Sequence, residues 1–182
     1  MTTRVALLRG VNVAGAGKLP MAGFRELLAD LGLGRVQTYI QSGNAVFDSA
    51  LAAPDLEAMI RDAVAQRHGF APETFVLSGD EIAEALTAHP FAEAEPKLVH
   101  VFFLRERPLV DEAVLSTHAL PGDGWHIGPR WLTLHTPAGI GRSRLADRLT
   151  RLLPSPMTAR NLRTLAALDG IVRSRIGDPS GG

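Results

Sequence analysis

The fold is decided by residues 4–48, which read RVALLRGVNVAGAGKLPMAGFRELLADLGLGRVQTYIQSGNAVFD. Short apolar runs in this stretch flank one segment whose apolar residues recur at helical spacing. That segment opens at Pro20, a residue favoured in the first helical turn, and ends at Gly32, where the chain leaves the helix with positive φ. A Ser-Gly-Asn turn then joins two further strands. The predicted elements are strand 4–11, loop 12–17, a helix from Pro20, strand 36–41 and strand 45–48.

The sequence on the carboxyl side completes this pattern and then repeats it. Pro54 opens a second predicted helix and residues 74–77 supply a fourth strand, so the order is β-α-β-β-α-β. Ser78 and Glu81 have the spacing of a capping box, which predicts a connecting helix. The second half repeats β-α-β-β-α and adds a short sixth strand. Its predicted elements are strand 97–104, helix 108–118, a hairpin of 125–127 and 131–135, helix 142–153, strand 157–160 and a last helix.

This order of elements predicts an α+β protein made of two ferredoxin-like units (the split β-α-β or α/β-plait topology) packed together. We expect the first unit at residues 1–78. Residues 79–176 should hold the connecting helix, the second unit and the C-terminal helix. Residues 177–182, GDPSGG, predict a flexible tail.

Composition favours an ordinary globular protein of the cytoplasm. The chain has no cysteine, which excludes disulfides, thiolate metal sites and a catalytic thiol. The N-terminal residues lack a signal-peptide pattern, and no apolar run approaches the roughly 20 residues that cross a bilayer. The six histidines have no metal-ligand spacing. We therefore expect a cytoplasmic location, no membrane partner, no metal and no cofactor.

Charge is balanced overall but unevenly distributed. The formal net charge is zero, yet residues 79–125 carry three basic and nine acidic side chains, and residues 126–182 carry nine basic and three acidic ones. A neutral total disfavours nucleic acid as a partner, because affinity for a duplex rises with the number of phosphates neutralised. The basic end either faces the acidic middle or forms a local arginine cluster, and both interpretations stay open.

Two arginine-bearing segments in the last third predict an anion site. Arg142 and Arg160 are expected at the starts of helices, where a cation is unfavourable unless an anion offsets it. Backbone N–H groups there, with Ser143 and Asn161 beside them, would suit a phosphate or carboxylate. Arginine would add bidentate contacts to either anion. The alternative is that these arginines pair with acidic side chains of the middle segment.

A second polar patch is expected where the first loop meets the turn after the second strand. The loop lies where phosphate loops occur, but the P-loop spacing fails because Asn12 replaces a glycine and Leu19 a hydroxyl residue. A nucleoside triphosphatase is therefore disfavoured. The alternative to a ligand site is that the asparagines only serve their turns. The candidate ligand-binding residues in this patch are Arg9, Asn12, Lys18, Tyr39, Gln41, Ser42 and Asn44.

Two motifs of the first unit resemble a known family. Residues 6–13, ALLRGVNV, and residues 38–44, TYIQSGN, are similar to the family called domain of unknown function 1697, and Met21, residues 141–143 and residues 158–161 extend the likeness. The resemblance implies two ferredoxin-like units and implies no activity. The family pattern near residue 158 reads Thr-Thr-Arg-Asn-Trp. In this chain Ala159 and Leu162 replace the second threonine and the aromatic residue, so no stacking role carries over.

No catalytic motif is present in the sequence, so whether the protein is an enzyme stays open. The favoured hypothesis is that it binds a small anionic ligand, a nucleotide or phosphorylated metabolite, in a cleft between the two units. One alternative is single-stranded nucleic acid on an open sheet face, but only ten of 182 residues are aromatic and such sheets need aromatics for stacking. The other alternative is a protein-interaction module that forms a homodimer through a sheet edge.

Overall fold

The computed structural model describes residues 1–15 and 17–176. The chain divides into two compact units, unit 1 from Met1–Ala83 together with the stretch from Ala167, and unit 2 from Glu84–Ala166. The predicted domain division after residue 78 stays a prediction. The predicted tail, residues 177–182, lies outside the described residues.

Unit 1 is a four-stranded antiparallel sheet with two helices between its strands. The strands are hydrogen-bonded in the order β2-β3-β1-β4, so the first strand lies between the third and the fourth. This order and the β-α-β-β-α-β sequence of elements define the ferredoxin-like topology that the sequence predicts. The elements are β1 Thr2–Leu8, α1 Met21–Asp30, β2 Gly34–Tyr39, β3 Asn44–Ser49, α2 Ala53–His68 and β4 Thr74–Ser78.

The core of unit 1 lies between one face of the sheet and the helices α1 and α2. Ala6 and Leu8 of β1 point into it, because successive side chains of a strand alternate between faces. Val5 and Leu7 lie on the opposite face and are also fully buried. Both faces of the sheet are therefore covered. The other buried members of the helix-side core include Phe24, Leu27, Leu28, Phe47, Leu56, Ile60 and Val64.

Unit 2 repeats the topology of unit 1. Its sheet has the order β6-β7-β5-β8, all antiparallel, and its core lies on the helix side of that sheet. The helix α3 (Gly79–Thr87) begins in unit 1 and ends in unit 2. The elements of unit 2 are β5 Val99–Leu104, α4 Glu112–His118, β6 Gly124–Ile127, β7 Trp131–His135, α5 Arg144–Leu152 and β8 Met157–Asn161, followed by α6 Leu162–Ile176.

Four predictions of element boundaries in the second half differ from the structure. The helix expected from Arg142 begins at Arg144, because Arg142 ends a 3-10 turn and the side chain of Ser143 caps the helix. The strand expected from Lys97 begins at Val99, because residues 96–98 form a 3-10 turn after Pro96. The helix expected from Pro108 begins at Glu112, because the side chain of Asp111 caps it by accepting a hydrogen bond from the Ala113 N–H at 2.8 Å. Arg160, expected at the start of a helix, lies in β8 instead. The short sixth strand of the second half is confirmed as β8.

The predicted capping box at the start of α3 is confirmed. The backbone N–H of Glu81 donates to Ser78 Oγ at 3.1 Å, and the Ser78 N–H donates to Glu81 Oε2 at 2.9 Å. Both groups are donors that a helix start otherwise leaves unsatisfied. Within the described part of the chain, no helix is both long enough and apolar enough to cross a membrane.

A buried carboxylate in β3 holds the C-terminal part of α6, which belongs to unit 1, against the rest of that unit. Asp48 of β3 accepts hydrogen bonds from Thr3 Oγ1 at 2.8 Å and from Arg35 Nε, and forms an ion pair with Arg175 at 3.4 Å. Arg175 also donates to the backbone oxygens of Arg35, at 2.6 Å, and Val46, at 3.1 Å. Burial alone would raise the pKa of Asp48. The hydrogen bonds from Arg35 and Thr3 and the charges of both arginines lower the pKa below its ordinary value.

Candidate functional site

The residues predicted to bind a ligand belong to different units. Seven lie in unit 1, around the segment that joins β1 to α1 (residues 9–20, called the β1–α1 loop) and the turn between β2 and β3 (residues 40–43, called the β2–β3 turn). Four lie in unit 2, before α5 and in β8.

Asn12 organises the β1–α1 loop. Its side-chain Nδ2 donates to the backbone oxygen of Leu19 at 2.8 Å and to that of Gln41 at 2.9 Å. Its Oδ1 accepts from the Leu19 N–H at 2.8 Å, and its backbone N–H donates to the Gly17 oxygen at 3.0 Å. Asn12 has a φ of 55°, a left-handed conformation that asparagine adopts more readily than most residues. One side chain thus closes the loop and ties it to the β2–β3 turn.

The two ends of the β1–α1 loop touch at glycines. A Cβ on Gly17 would lie 2.3 Å from the backbone oxygen of Gly10, and the φ of Gly17 is 60°. Only glycine fits both the close approach and the left-handed backbone. Arg9 and Lys18 therefore flank the closed base of the loop.

The β2–β3 turn is packed directly against β1. The Leu8 N–H donates to the Gly43 oxygen at 2.9 Å, and a Cβ on Gly43 would lie 2.9 Å from the Cβ of Leu8. Asn44 is fully buried, and its Nδ2 donates to the Tyr39 oxygen at 3.2 Å. Ile40 has a φ of 47°, which is costly for a β-branched residue. The surrounding hydrogen bonds hold the turn in this strained form.

Two cationic and two apolar side chains are exposed around this framework. Arg9 and Lys18 are exposed, and within residues 1–15 and 17–176 neither side chain has a hydrogen bond or an ion pair. Val13 and Ile40 are 59% and 47% exposed. The arrangement can attract an anion and can support an apolar group beside it. The described residues of the loop and turn include no histidine or carboxylate for acid–base chemistry.

The cavities described in unit 1 lie elsewhere. One of about 320 Å³ lies between α1 and α2, and one of about 280 Å³ lies where β1 begins, beside Gly79 and Val172. Arg9, Val13, Lys18 and Ile40 of the loop and turn lie at the surface. A ligand held there would depend on charge and on a preformed backbone more than on enclosure.

Arg142 and Ser143 are placed before α5, but their polar groups are used within unit 2. The backbone N–H groups of Arg142 and Ser143 donate to the oxygens of Gly139 and Ile140, both at 3.1 Å. Ser143 is buried, and its Oγ accepts from the Ala146 N–H at 3.1 Å as the cap of α5. The donors that the sequence offered to an anion are thus largely occupied. The Arg142 side chain is exposed.

Arg160 and Asn161 also make contacts within unit 2. Arg160 Nη1 donates to Thr158 Oγ1 at 2.9 Å and to the Ala159 oxygen at 2.8 Å. Burial lowers the pKa of Arg160 to about 10. Asn161 Oδ1 accepts from the Thr164 N–H at 2.9 Å in the first turn of α6. Both residues orient the end of β8 and the start of α6.

Sequence reasoning missed Arg148 and Arg151 as candidates. Both are exposed on α5 together with Arg144. Their spacing of four and three residues, with leucines on the intervening positions, was the signal for a shared helical face.

Among residues 1–15 and 17–176, neither sheet has an open face for single-stranded nucleic acid. On the side of each sheet away from its helix-side core, Val5 and Leu7 of β1 and Val101 and Phe103 of β5 are fully buried. Base stacking needs aromatic rings on an accessible face. The described residues therefore argue against the RNA-recognition type of binding.

Comparisons with known proteins identify a family and a fold. Residues 1–128 match the family model described as Protein of unknown function (DUF1697), a range that contains the β1–α1 loop and the β2–β3 turn. No curated protein matches the chain. Among solved structures the chain is similar to the conserved bacterial protein SP0830 from Streptococcus pneumoniae, with a TM-score of 0.70 and 22% identity over 94% of this chain and 98% of that one. At this identity the likeness supports the fold alone.

Proposed function

The chain belongs to the family Protein of unknown function (DUF1697), as its motifs predict, and on that premise we propose that it binds a small anionic ligand at the β1–α1 loop. The family description states no activity. The proposal therefore rests on the geometry of the loop and the adjoining β2–β3 turn.

The observation that carries the proposal is that Arg9 and Lys18 have no side-chain partner among the described residues and flank the hydrogen-bonded base of the loop. Four hydrogen bonds of Asn12 and the contact between Gly10 and Gly17 fix the loop before any ligand arrives. A preorganised site loses less ordering entropy on binding. Two cations without carboxylate partners in the described residues supply the attraction.

The side chains also favour one ligand class. Arginine offers a planar fork of donors and lysine a compact charge, a combination suited to phosphate. The exposed apolar side chains of Val13 and Ile40 could contact a base or another apolar group attached to that phosphate. The ligand class proposed is therefore a nucleotide or a phosphorylated metabolite with an apolar part.

A thermal-shift titration with inorganic phosphate, nucleoside monophosphates and sugar phosphates tests the proposal. A ligand at 100 times its dissociation constant should stabilise the protein by about 2.7 kcal/mol. We expect Arg9→Ala with Lys18→Ala to remove most of that shift. The matched control is Lys97→Ala, which removes the one other lysine of the sequence, an exposed residue paired with Glu95 at 2.9 Å. The control should keep the shift.

Two results would overturn the proposal. One is the absence of a shift with every compound on well-folded protein. The other is an equal loss of the shift in Lys97→Ala, because it would mean that net charge and not the loop holds the anion. A larger shift for the nucleotide than for inorganic phosphate supports the apolar contribution of Val13 and Ile40.

Two broader proposals accompany this one. A cytoplasmic location is supported by the absence of cysteine. A homodimer formed through an exposed sheet edge is supported only by the presence of the edge strands β2 and β4 in unit 1 and β6 and β8 in unit 2. Size-exclusion chromatography with light scattering tests the dimer directly.

A further inference from the structure

The helix α5 presents a row of arginines. Arg144, Arg148 and Arg151, called the arginine row, are spaced by four and three residues, lie on one face and are exposed. Leu145 and Leu149 lie on the other face and are fully buried in the core of unit 2. Because these leucines fix the rotation of the helix, the arginine row must point outward.

The arginine row has no internal partner. Within the described residues none of its three side chains has an ion pair or a hydrogen bond. The exposed arginines of α2 differ, since Arg61 pairs with Asp62 at 2.9 Å and Arg67 pairs with Asp30 at 2.8 Å. Like charges three or four residues apart destabilise a helix, and cations near its start add to that cost; Asp147, three residues after Arg144 and four before Arg151, offsets the cost only in part.

The nearest acidic helix is occupied by its own structure. α4 packs beside α5 and carries acidic residues at its start. Asp111 Oδ1 accepts from the Ala113 N–H at 2.8 Å, and Glu112 Oε2 accepts from the Trp125 indole N–H at 2.9 Å. In the described residues neither carboxylate forms an ion pair with the arginine row, so the row remains available to a partner from outside.

We propose that the arginine row docks on the phosphate backbone of double-stranded nucleic acid without reading its sequence. The row extends about 10.5 Å along the helix axis, at 1.5 Å per residue. Each strand of a duplex presents a continuous row of phosphates, so each of the three arginines can reach one phosphate. All three cations are arginine, which can contact phosphate oxygens in pairs.

Other partners fit this face less well. A membrane surface or a protein interface needs apolar anchors, and none of the large exposed apolar side chains described belongs to α5. Single-stranded nucleic acid would need aromatic rings for stacking, and α5 has none. Backbone contact with a duplex requires only positive charge in the right spacing. This surface is separate in sequence and in unit from the β1–α1 loop.

Weak, salt-dependent affinity is the expected signature. With a net charge of zero, the protein exerts little long-range attraction on a polyanion, so the affinity comes from local contacts. Three neutralised phosphates give a salt slope of about −2.7, so affinity should fall about 40-fold between about 50 and 200 mM salt. The dissociation constant at the lower salt should be about 10⁻⁴ M, which is weaker than ordinary non-specific duplex binding, where values of about 10⁻⁴ to 10⁻⁶ M hold at physiological salt.

Fluorescence anisotropy with a labelled duplex of arbitrary sequence tests the proposal. The triple variant Arg144→Gln, Arg148→Gln, Arg151→Gln should lose binding at least about 10-fold and flatten the salt slope. The matched control removes the same charge from unit 1 with Arg25→Gln, Arg61→Gln and Arg67→Gln. The control should bind within about 2-fold of the unmodified protein, because only local charge contacts the phosphates. Thermal unfolding of all three proteins verifies that they fold.

Three results would overturn the inference. One is the absence of binding at about 1 mM protein, ten times the expected dissociation constant. Another is an equal loss of affinity in both triple variants, which would indicate net charge alone. The third is tighter binding of poly-glutamate or of anionic vesicles than of the duplex, because it would assign the row to a different class of partner. Equal binding of two unrelated duplex sequences supports backbone contact.

Discussion

The two units share one topology but differ in two equivalent elements. In unit 1 the connection from the first strand to the first helix is the β1–α1 loop, and in unit 2 it is residues 105–111. The second helix is α2, with 16 residues, in unit 1 and α5, with nine, in unit 2. The same fold is thus built with a different first connection and a different second helix in each unit. The two surfaces proposed to bind anions lie at these differing elements.

The two connections differ in backbone conformation. The β1–α1 loop contains left-handed residues at positions 10, 12, 14, 15 and 17. In residues 105–111, all of which the structure describes, no residue has a positive φ, and Asp111 ends the segment as a helix cap. A connection of this topology therefore does not require a left-handed loop. The strained form in unit 1 needs another reason, which a binding role would supply.

The largest effect should come from Gly17→Ala. The new Cβ would meet the backbone oxygen of Gly10 at 2.3 Å and would sit at a φ of 60°. A left-handed alanine costs about 1–2 kcal/mol and overpacking about 1–3 kcal/mol, so we expect a loss of about 2–5 kcal/mol in the free energy of unfolding. Urea denaturation measures this loss.

Gly15→Ala is the matched control for that change. Gly15 is also left-handed, with a φ of 79°, but a Cβ there meets nothing within 4 Å. It should cost only the conformational term of about 1–2 kcal/mol. Equal losses at the two glycines would mean that the contact between Gly10 and Gly17 does not hold the base of the loop.

A smaller effect should come from exchanging the caps of the two second helices. Ser143 caps α5 with its side chain, whereas Ala52 at the start of α2 cannot. Ser143→Ala should destabilise the protein by about 1 kcal/mol, and Ala52→Ser should stabilise it by about 0.5–1 kcal/mol. Chemical denaturation of both variants measures the pair. A loss of stability in both variants would show that the backbone N–H groups at the start of α2 already have hydrogen-bond partners.

The topology of both units could be predicted from the sequence because short local patterns determine their helices, strands and turns. Proline and glycine positions marked the ends of α1 and α2, and apolar spacing marked the helices and strands between them. The start of β5 was misplaced because Lys97 and Leu98 fit a strand as well as a 3-10 turn. Arg160 was assigned to a helix start because β8 is short and merges directly into α6.

The candidate site was predicted in part. The motifs directed attention to Arg9, Asn12 and Lys18, and the structure places them in one loop. The three backbone partners of the Asn12 side chain could not be predicted, since one of them, Gln41, is 29 residues away. Side-chain hydrogen bonds at that separation depend on the packed fold. Whether these residues bind a ligand stays a prediction.

A milder effect should appear as a pH dependence at His100. It occupies in β5 the place that Arg4 occupies in β1, and in the described residues its Nδ1 is buried without a hydrogen bond, like Arg4 Nε. Burial lowers the pKa of His100. The unfolded histidine, with a pKa of about 6.5, is therefore protonated first as the pH falls. The neutral ring therefore costs the folded state nothing above about pH 6.5, and the free energy of unfolding decreases as the pH falls below that value.

Urea unfolding between about pH 8 and pH 5, on both sides of the histidine pKa, measures the slope of the free energy of unfolding against pH. His100→Gln should reduce the slope without abolishing it, because burial also lowers the pKa of His89. Adding His89→Gln to His100→Gln should reduce this slope further. A slope unchanged in His100→Gln would mean that its ring gains a proton in the folded state as easily as in the unfolded one.

The smallest predicted changes in stability come from single arginine substitutions, and they have opposite signs on α5 and α2. Arg148→Gln removes like-charge neighbours at Arg144 and Arg151 and should stabilise the protein by about 0.2–0.5 kcal/mol. Arg67→Gln on α2 removes an exposed ion pair with Asp30 and should destabilise it by at most about 1 kcal/mol. Salt should shrink both effects, because both are electrostatic and exposed. Urea denaturation at low and high salt measures them. A destabilising Arg148→Gln would mean that the arginine row has a partner within the protein, and the case for an external polyanion would fail with it.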